Sequence, residues 1–278
     1  MIRPAAMPKP LARERQVAIE AARAAGTIVT GYYEGTIEVR EKGHDNPVTA
    51  ADLEADACIK QHVLAAFPSD GWLSEETADS TDRLAKDRVW VVDPLDGTKE
   101  FTQHIPEFCI CIALVERGRP IVAVSYNPAA ERLYCAVRGQ GTTCNEEPVR
   151  VSPASVLREA RVLASRSEDK RGEWDPFKDR VQVVLTGSVA FKLAELSRGC
   201  GEATFTLTPK NEWDICSGTL LLEEAGGRAT GLDGKPLVFN QTSPLRDGMI
   251  ASNGVLHDAL LQMIADVGYR PPVRPRRE

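Results

Sequence analysis

Val89-Trp-Val-Val-Asp-Pro-Leu-Asp-Gly-Thr-Lys-Glu-Phe101 is an apolar run that breaks into two aspartates three residues apart and then into Gly-Thr. Val89 to Val92 predicts a buried strand, which leaves Asp93 and Asp96 where that strand ends and the chain turns. Two hard carboxylates at one strand end can share a divalent metal. Oxygen donors suit Mg²⁺, which keeps much of its water and takes few protein ligands together with substrate phosphate. Gly97 and Thr98 add backbone N–H groups at the next turn, where a helix N-terminus receives phosphate. Taken alone, Asp-Pro and Asp-Gly are common turn dipeptides, and the stretch also reads as a plain turn.

Two better-known motifs fail here. An EF-hand loop needs acidic or amide groups at alternate positions, and Pro94 and Gly97 occupy two of them. A haloacid dehalogenase phosphatase carries its aspartyl nucleophile two residues before the Asp of Asp-Gly-Thr, and Pro94 stands there, which argues against a phosphoaspartyl mechanism.

The 278 residues, 42% apolar and 27% charged, suit one large domain or two small ones of an ordinary globular protein. A formal charge of -6 argues against a nucleic-acid polymer as partner, although metals can invert the local field for an anionic substrate. Seven cysteines without Cys-x-x-Cys pairs, several inside apolar segments, read as reduced core residues of a cytoplasmic protein. No window approaches the roughly 20 apolar residues of a membrane span.

Around the central stretch, Leu11 to Tyr33 predicts an N-terminal helix, Thr36 to Arg40 a strand, Glu41 to Pro47 a polar loop, and Asp52 to Phe67 a second helix. Gly71 to Glu76 is a short strand that runs into two glutamates. Cys109 to Val115, Ile121 to Tyr126 and Leu133 to Val137 predict an antiparallel meander. Beyond about Val151 strands and helices alternate: Arg161 to Ala164, Val181 to Thr186, a helix Ser188 to Arg198, a strand Ala203 to Thr206, a helix Trp213 to Ala225, a strand Met249 to Ala251 and a helix Val255 to Val267. Residues 1–150 thus form an α+β half that carries most of the acidic candidates, and 151–278 an α/β half. Arg270 to Glu278 reads as a frayed end.

Acidic residues recur at strand ends and helix starts: Asp52, Glu75, Glu76, Asp93, Asp96 and Asp214. Buried and unpaired they would be costly, so metal ions are natural partners. Asp45-x-Pro-Val-Thr-Ala-Ala-Asp52, Ser74-Glu-Glu76, Trp90-Val-Val-Asp-Pro-Leu-Asp-Gly-Thr98 and Glu212-Trp-Asp214 together resemble the inositol monophosphatase superfamily, in order and spacing, from about Lys42 to Asn253. The resemblance implies a layered α-β-α-β-α sandwich and a Mg²⁺-dependent, lithium-sensitive phosphomonoesterase that forms a homodimer, acts on a small-molecule phosphate ester and binds neither nucleic-acid polymer nor membrane. It implies that Glu75, rather than Glu76, joins Asp93 and the Leu95 carbonyl around one Mg²⁺, that Asp93, Asp96 and Asp214 hold a second, and that a third shares Glu75. Thr98 and Asp52, with Glu75, would activate the attacking water, and the Gly97 and Thr98 amides would bind phosphate. Two ions about 4 Å apart suit in-line displacement by water, without a covalent intermediate.

For the substrate, inositol-specific members place a glutamate seven residues before the aspartate of the Trp-Asp motif, and here that residue is Leu207. Asp96 to Phe101 and Glu212 to Asp214 instead resemble the 3'(2'),5'-bisphosphate nucleotidase branch, called CysQ in bacteria. Gly187 and Ser188 resemble the start of that branch's nucleotide pocket. Its lysine falls one residue off, so Lys192 reads as a solvated helix residue. Lys99 and Lys210 could supply charge for a second phosphate, with Arg166 a further candidate. The alternatives are a phosphatase for inositol or sugar monophosphates and a non-catalytic metal or nucleotide sensor.

Overall fold

The computed structural model describes residues 11–35, 39–43 and 46–268. Helix α1 (Ala12–Tyr33) precedes a hairpin of β1 (Val39–Gly43) and β2 (Asn46–Thr49), which leads into α2 (Ala50–Ala66). A seven-stranded sheet follows: β3 (Gly71–Ser74), β4 (Arg88–Asp96), then past the short α3 (Thr98–Thr102) β5 (Cys109–Glu116), β6 (Arg119–Asn127), β7 (Arg132–Val137), β8 (Thr142–Cys144) and β9 (Glu147–Val149). Its strands lie in chain order, and β3 is parallel to β4 whereas the rest pair antiparallel.

The second half contributes β10 (Arg161–Ala164), α4 (Arg166–Lys170), β11 (Gln182–Leu185), α5 (Val189–Ser197), β12 (Ala203–Thr206), β13 (Lys210–Asn211), α6 (Glu212–Glu224), β14 (Arg228–Thr230), β15 (Leu245–Arg246), β16 (Met249–Ser252) and α7 (His257–Asp266). Five of these strands form a mixed sheet in the order β11-β10-β12-β16-β14, and β13 pairs with β15.

Side-chain alternation along the central strands sets the layers. Trp90 and Val92 of β4, with Ile110, Ile112 and Leu114 of β5, pack against α1 and α2 through Ala18, Ala25, Ile59 and Val63. Val89, Val91, Ala113 and Val115 point the other way, onto Leu193 of α5 and Ile215 and Cys216 of α6, and these helices rest on Leu163, Met249 and Ala251 of the second sheet. The far face of that sheet is covered by Leu260 and Met263 of α7 together with Trp174 and Phe177. The result is an α-β-α-β-α sandwich. Because helices cover both faces of the large sheet, its strands are apolar on both sides instead of alternating apolar with polar.

Helix α2 begins at Ala50, two residues earlier than its apolar period suggests. Thr49 is its N-cap, and its N–H and hydroxyl donate to Asp52 at 2.8 and 2.6 Å, a capping box. The loop expected over 41–47 is largely the β1–β2 hairpin, whose register slips between Glu41 and Gly43. A two-stranded ribbon tolerates Pro47, which has no N–H to give. The strand expected from Thr36 starts at Val39, with residues 36–38 outside the described ones, as are Asp45 and the tail 270–278. Among the described residues no helix is long and apolar enough to cross a membrane.

The crossing of α5 and α6 depends on Gly218, where a Cβ would stand 2.4 Å from the Leu193 Cβ. Gly218→Val should therefore lower unfolding free energy by about 1–3 kcal/mol through overpacking, read as a reduced urea midpoint at unchanged slope.

Candidate active site

Parallel pairing of β3 with β4 sets Ser74 opposite Val92, so the next residues, Glu75 and Asp93, leave the sheet side by side, with the Glu75 N–H donating to the Val92 carbonyl at 3.3 Å. The β4–β5 register slips between the pairs Asp93–Cys111 and Asp96–Cys109, three steps on one strand against two on the other. Such a bulge bends the strand end and re-aims its side chains. Asp214 arrives from the other half, in the first turn of α6, where its Oδ2 accepts the N–H of the N-cap Asn211 at 3.0 Å.

Carboxylate oxygens of Glu75, Asp93 and Asp214 lie within 4.8 Å of one another. Asp96 borders this group, its Oδ2 accepting the Ala190 N–H at 2.7 Å and the Ser188 hydroxyl. The Thr98 hydroxyl stands 3.1 Å from Asp52 Oδ1 and 3.1 Å from the Leu95 carbonyl oxygen, and its single proton can serve one of them at a time.

Asp93 is 1% exposed. Its Oδ1 accepts the Leu95 N–H at 3.0 Å, whereas Oδ2 is buried with no hydrogen-bond partner among the described residues. Burial first, then repulsion from Glu75, Asp96 and Asp214, holds the Asp93 carboxyl well above the ordinary carboxylate range. Burial also raises Asp96, and burial together with Asp96 pushes Asp214 up to about 7. An all-oxygen donor set with one buried orphan oxygen fits a hard divalent cation such as Mg²⁺, whose charge offsets the repulsion.

The carboxylates open into a cleft of about 460 Å³ whose lining includes Glu75, Leu95 to Glu100, Ser188 and Asp214 together with Glu168, Arg171, Lys192 and Lys210. Lys192, expected as a solvated residue, is 4% exposed. Every residue of α5 from Val189 to Ser197 is buried, so the helix has no solvent face on which a lysine could lie. Burial lowers Lys192 to about 8 against the opposing pull of Glu168. Glu168, 3% exposed, accepts the hydroxyls of Thr206 at 2.6 Å and Thr208 at 3.3 Å, and Lys210 Nζ stands 3.6 Å away.

Gly187 does not border the cleft: its N–H donates to Glu107 at 2.6 Å, and the space a Cβ would fill holds the Glu100 side chain. Arg166 is paired with Glu107 and likewise stands outside the lining. Leu207 is buried and lines a separate cavity of about 660 Å³ beside α7, which gathers mainly apolar groups. Glu168 and Glu107 escaped the reading of the sequence, although a Ser-x-x-Glu start to α4 marks the first as a cap-region carboxylate.

The model of the inositol monophosphatase family matches residues 11–269. The chain belongs to that family. It is 31% identical over 261 residues to inositol monophosphatase 2 of Solanum lycopersicum, covering 89% of this chain and 96% of that protein. It is equally 31% identical over 261 residues to Nus factor SuhB of Escherichia coli strain K12, covering 90% and 95%. Among solved structures, the inositol monophosphatase from Anabaena (Nostoc) is similar with TM-score 0.78 at 30% identity, covering 94% of this chain and 98% of that one. The Thermotoga maritima IMPase is similar with TM-score 0.82 at 29% identity, covering 92% and 98%. As a family member this chain is a metal-dependent phosphoric monoester hydrolase of small phosphate esters, with Mg²⁺ as the family's cofactor.

The raised carboxylates make a stability prediction for the metal-free protein. A folded pKa above the unfolded value means that the native state binds more protons, so stability is lost as pH rises from about 4 toward Asp214's value of about 7. Buried His257, lowered to about 4, titrates with the opposite sign. The comparison that isolates the cluster is therefore wild type against Asp214→Asn, which share His257. Calorimetry between pH 5 and 7.5 should show wild type losing stability relative to the variant, and saturating Mg²⁺ should cancel that loss.

Proposed function

We propose that the chain is a 3'(2'),5'-bisphosphate nucleotidase, hydrolysing adenosine 3',5'-bisphosphate to AMP and phosphate. The two halves, 1–150 and 151–278, act as one catalytic unit. Glu75, Asp93 and the Leu95 carbonyl would hold one Mg²⁺, Asp93, Asp96 and Asp214 would hold a second, and a third would share Glu75. Bound there, Mg²⁺ lowers the pKa of water and offsets charge on the phosphoryl and leaving oxygens. Thr98, whose hydroxyl can turn between Asp52 and the Leu95 carbonyl, orients the attacking water, and buried Asp52 draws the hydroxyl proton toward itself. The Gly97 and Thr98 amides bind the phosphate to be released, and Lys99 and Lys210 supply charge for a second one.

The observation that carries the substrate reading is that Lys210 and buried Lys192 line the same cleft as the carboxylates. Once metals neutralise the acidic side, a phosphomonoester with a second anionic group meets positive charge at both ends. Leu207 supports the same reading, since a buried leucine offers inositol hydroxyls no acceptor. A second reading, inositol or sugar monophosphate hydrolysis, is favoured by the names of the similar relatives. A sensor without turnover has no such support, because Asp52, Glu75, Asp93, Asp96, Thr98 and Asp214 are all retained. Seven free cysteines, four of them buried, support the cytoplasm as compartment, and the family resemblance supports a homodimer.

The test is Mg²⁺-dependent phosphate release from adenosine 3',5'-bisphosphate and inositol 1-phosphate side by side, with Asp96→Asn as the blank. The bisphosphate should be preferred, Asp96→Asn should abolish nearly all turnover, and Lys192→Met should raise KM for the bisphosphate more than for adenosine 3'-monophosphate, which keeps the scissile phosphate and lacks the second, or for inositol 1-phosphate. Preference for inositol 1-phosphate in the wild type would overturn the nucleotidase reading, and an active Asp96→Asn would overturn the ligand set.

A further inference from the structure

Asp96 is tied to the second half of the chain by a continuous set of polar contacts that metal ligation alone does not require. Its Oδ2 accepts both the Ser188 hydroxyl and the Ala190 N–H, the latter at 2.7 Å, which leaves Oδ1 for a cation. Ser188 is held at φ 47, a conformation that a non-glycine residue adopts only when its surroundings fix it. Its oxygen also accepts the Phe191 N–H at 2.9 Å, so the same hydroxyl caps α5 and orients Asp96.

What keeps the backbone there is the residue before it. The Gly187 N–H donates to Glu107 Oε2 at 2.6 Å. Glu107 in turn receives both terminal nitrogens of Arg166, one of them at 3.0 Å, and Arg166 also reaches the Leu185 carbonyl at 3.3 Å. Glu107 comes from the loop before β5, and Arg166 and Gly187 come from the other half. Gly97 completes the joint: at φ 99, a Cβ there would stand 2.9 Å from both the Glu107 carbonyl oxygen and the Ser188 Cβ.

From this geometry we infer that the Glu107–Arg166 pair is a positioning device for the metal site: it fixes Gly187 and Ser188 so that Asp96 presents one oxygen to Mg²⁺ in a set direction. The inference rests on Asp96 being a metal ligand. Neither Glu107 nor Arg166 is among the residues lining the cleft. A bidentate guanidinium–carboxylate pair fixes direction as well as distance, so lysine cannot replace Arg166 in this role.

The experiment is Mg²⁺ binding by titration calorimetry without substrate, paired with the Mg²⁺ dependence of phosphate release. Glu107→Gln and Arg166→Lys should each weaken Mg²⁺ binding roughly 10- to 100-fold, as loss of outer-shell contacts to a ligand does. In both, excess Mg²⁺ should restore most of kcat, and KM at saturating Mg²⁺ should stay within about twofold of wild type. If a single variant fails to fold for want of its half-buried partner, the double change Glu107→Met with Arg166→Met removes both charges and should show the same weakened binding. Wild-type Mg²⁺ affinity in any folded variant overturns the inference. Asp96→Asn separates the two levels: if it binds Mg²⁺ as wild type does, the ligand reading itself fails and the inference falls with it, whereas weakened binding in Asp96→Asn with none in Glu107→Gln overturns the positioning role alone.

Discussion

Repulsion among carboxylates buried at the end of β4 is the constraint on which the rest of the structure depends. Asp93 sits 1% exposed with an unpartnered oxygen, and Glu75, Asp96 and Asp214 all push its carboxyl toward the protonated form. No surface turn would carry that arrangement, because like charges close together out of water destabilise the fold. The polypeptide meets the cost with rigid supports: a parallel strand pair for Glu75, a bulge for Asp93 and Asp96, and a capped helix for Asp214. Each is a backbone feature packed into the core, so the repulsion cannot relax by side chains swinging away. A divalent cation held among these oxygens would offset their repulsion.

The same layering brings acidic and basic groups into one cleft. Helices α5 and α6 lie between the sheets, and their first turns face the end of β4. Carboxylates therefore come from the large sheet and α6, while Lys192 comes from a helix with no solvent face and Lys210 from the short β13. Glu168 stands between the two lysines as a buried counter-charge, anchored by Thr206 and Thr208 at the end of β12.

Much of this was legible in the chain itself. The apolar runs of β4 to β7 are continuous because helices cover both faces, and their ends fell where aspartates and turn residues interrupt them. Thr49-x-x-Asp52 and Asn211-x-x-Asp214 are readable as capping boxes; Asp214 lines the cleft, and Asp52 meets the cleft-lining Thr98. The β1–β2 hairpin was hidden because its Gly, Asn and Pro read as loop signals while a ribbon of two strands tolerates all three. Lys192 was misread for a related reason: a lysine on a helix is normally solvated, and only the apolar residues on every side of it, from Val189 to Leu196, hint that the helix is enclosed. Glu107 and Arg166 lie 59 residues apart, a pairing that spacing cannot reveal.

The central claim is that the acidic cluster is a two-metal centre. Mn²⁺, which prefers the same oxygen donors as Mg²⁺, can be located by anomalous diffraction from crystals soaked in it. Two adjacent peaks bridged by Asp93, one shared with Glu75 and the other with Asp96 and Asp214, are the predicted result. Peaks elsewhere on the molecule, with none between these carboxylates, would contradict it.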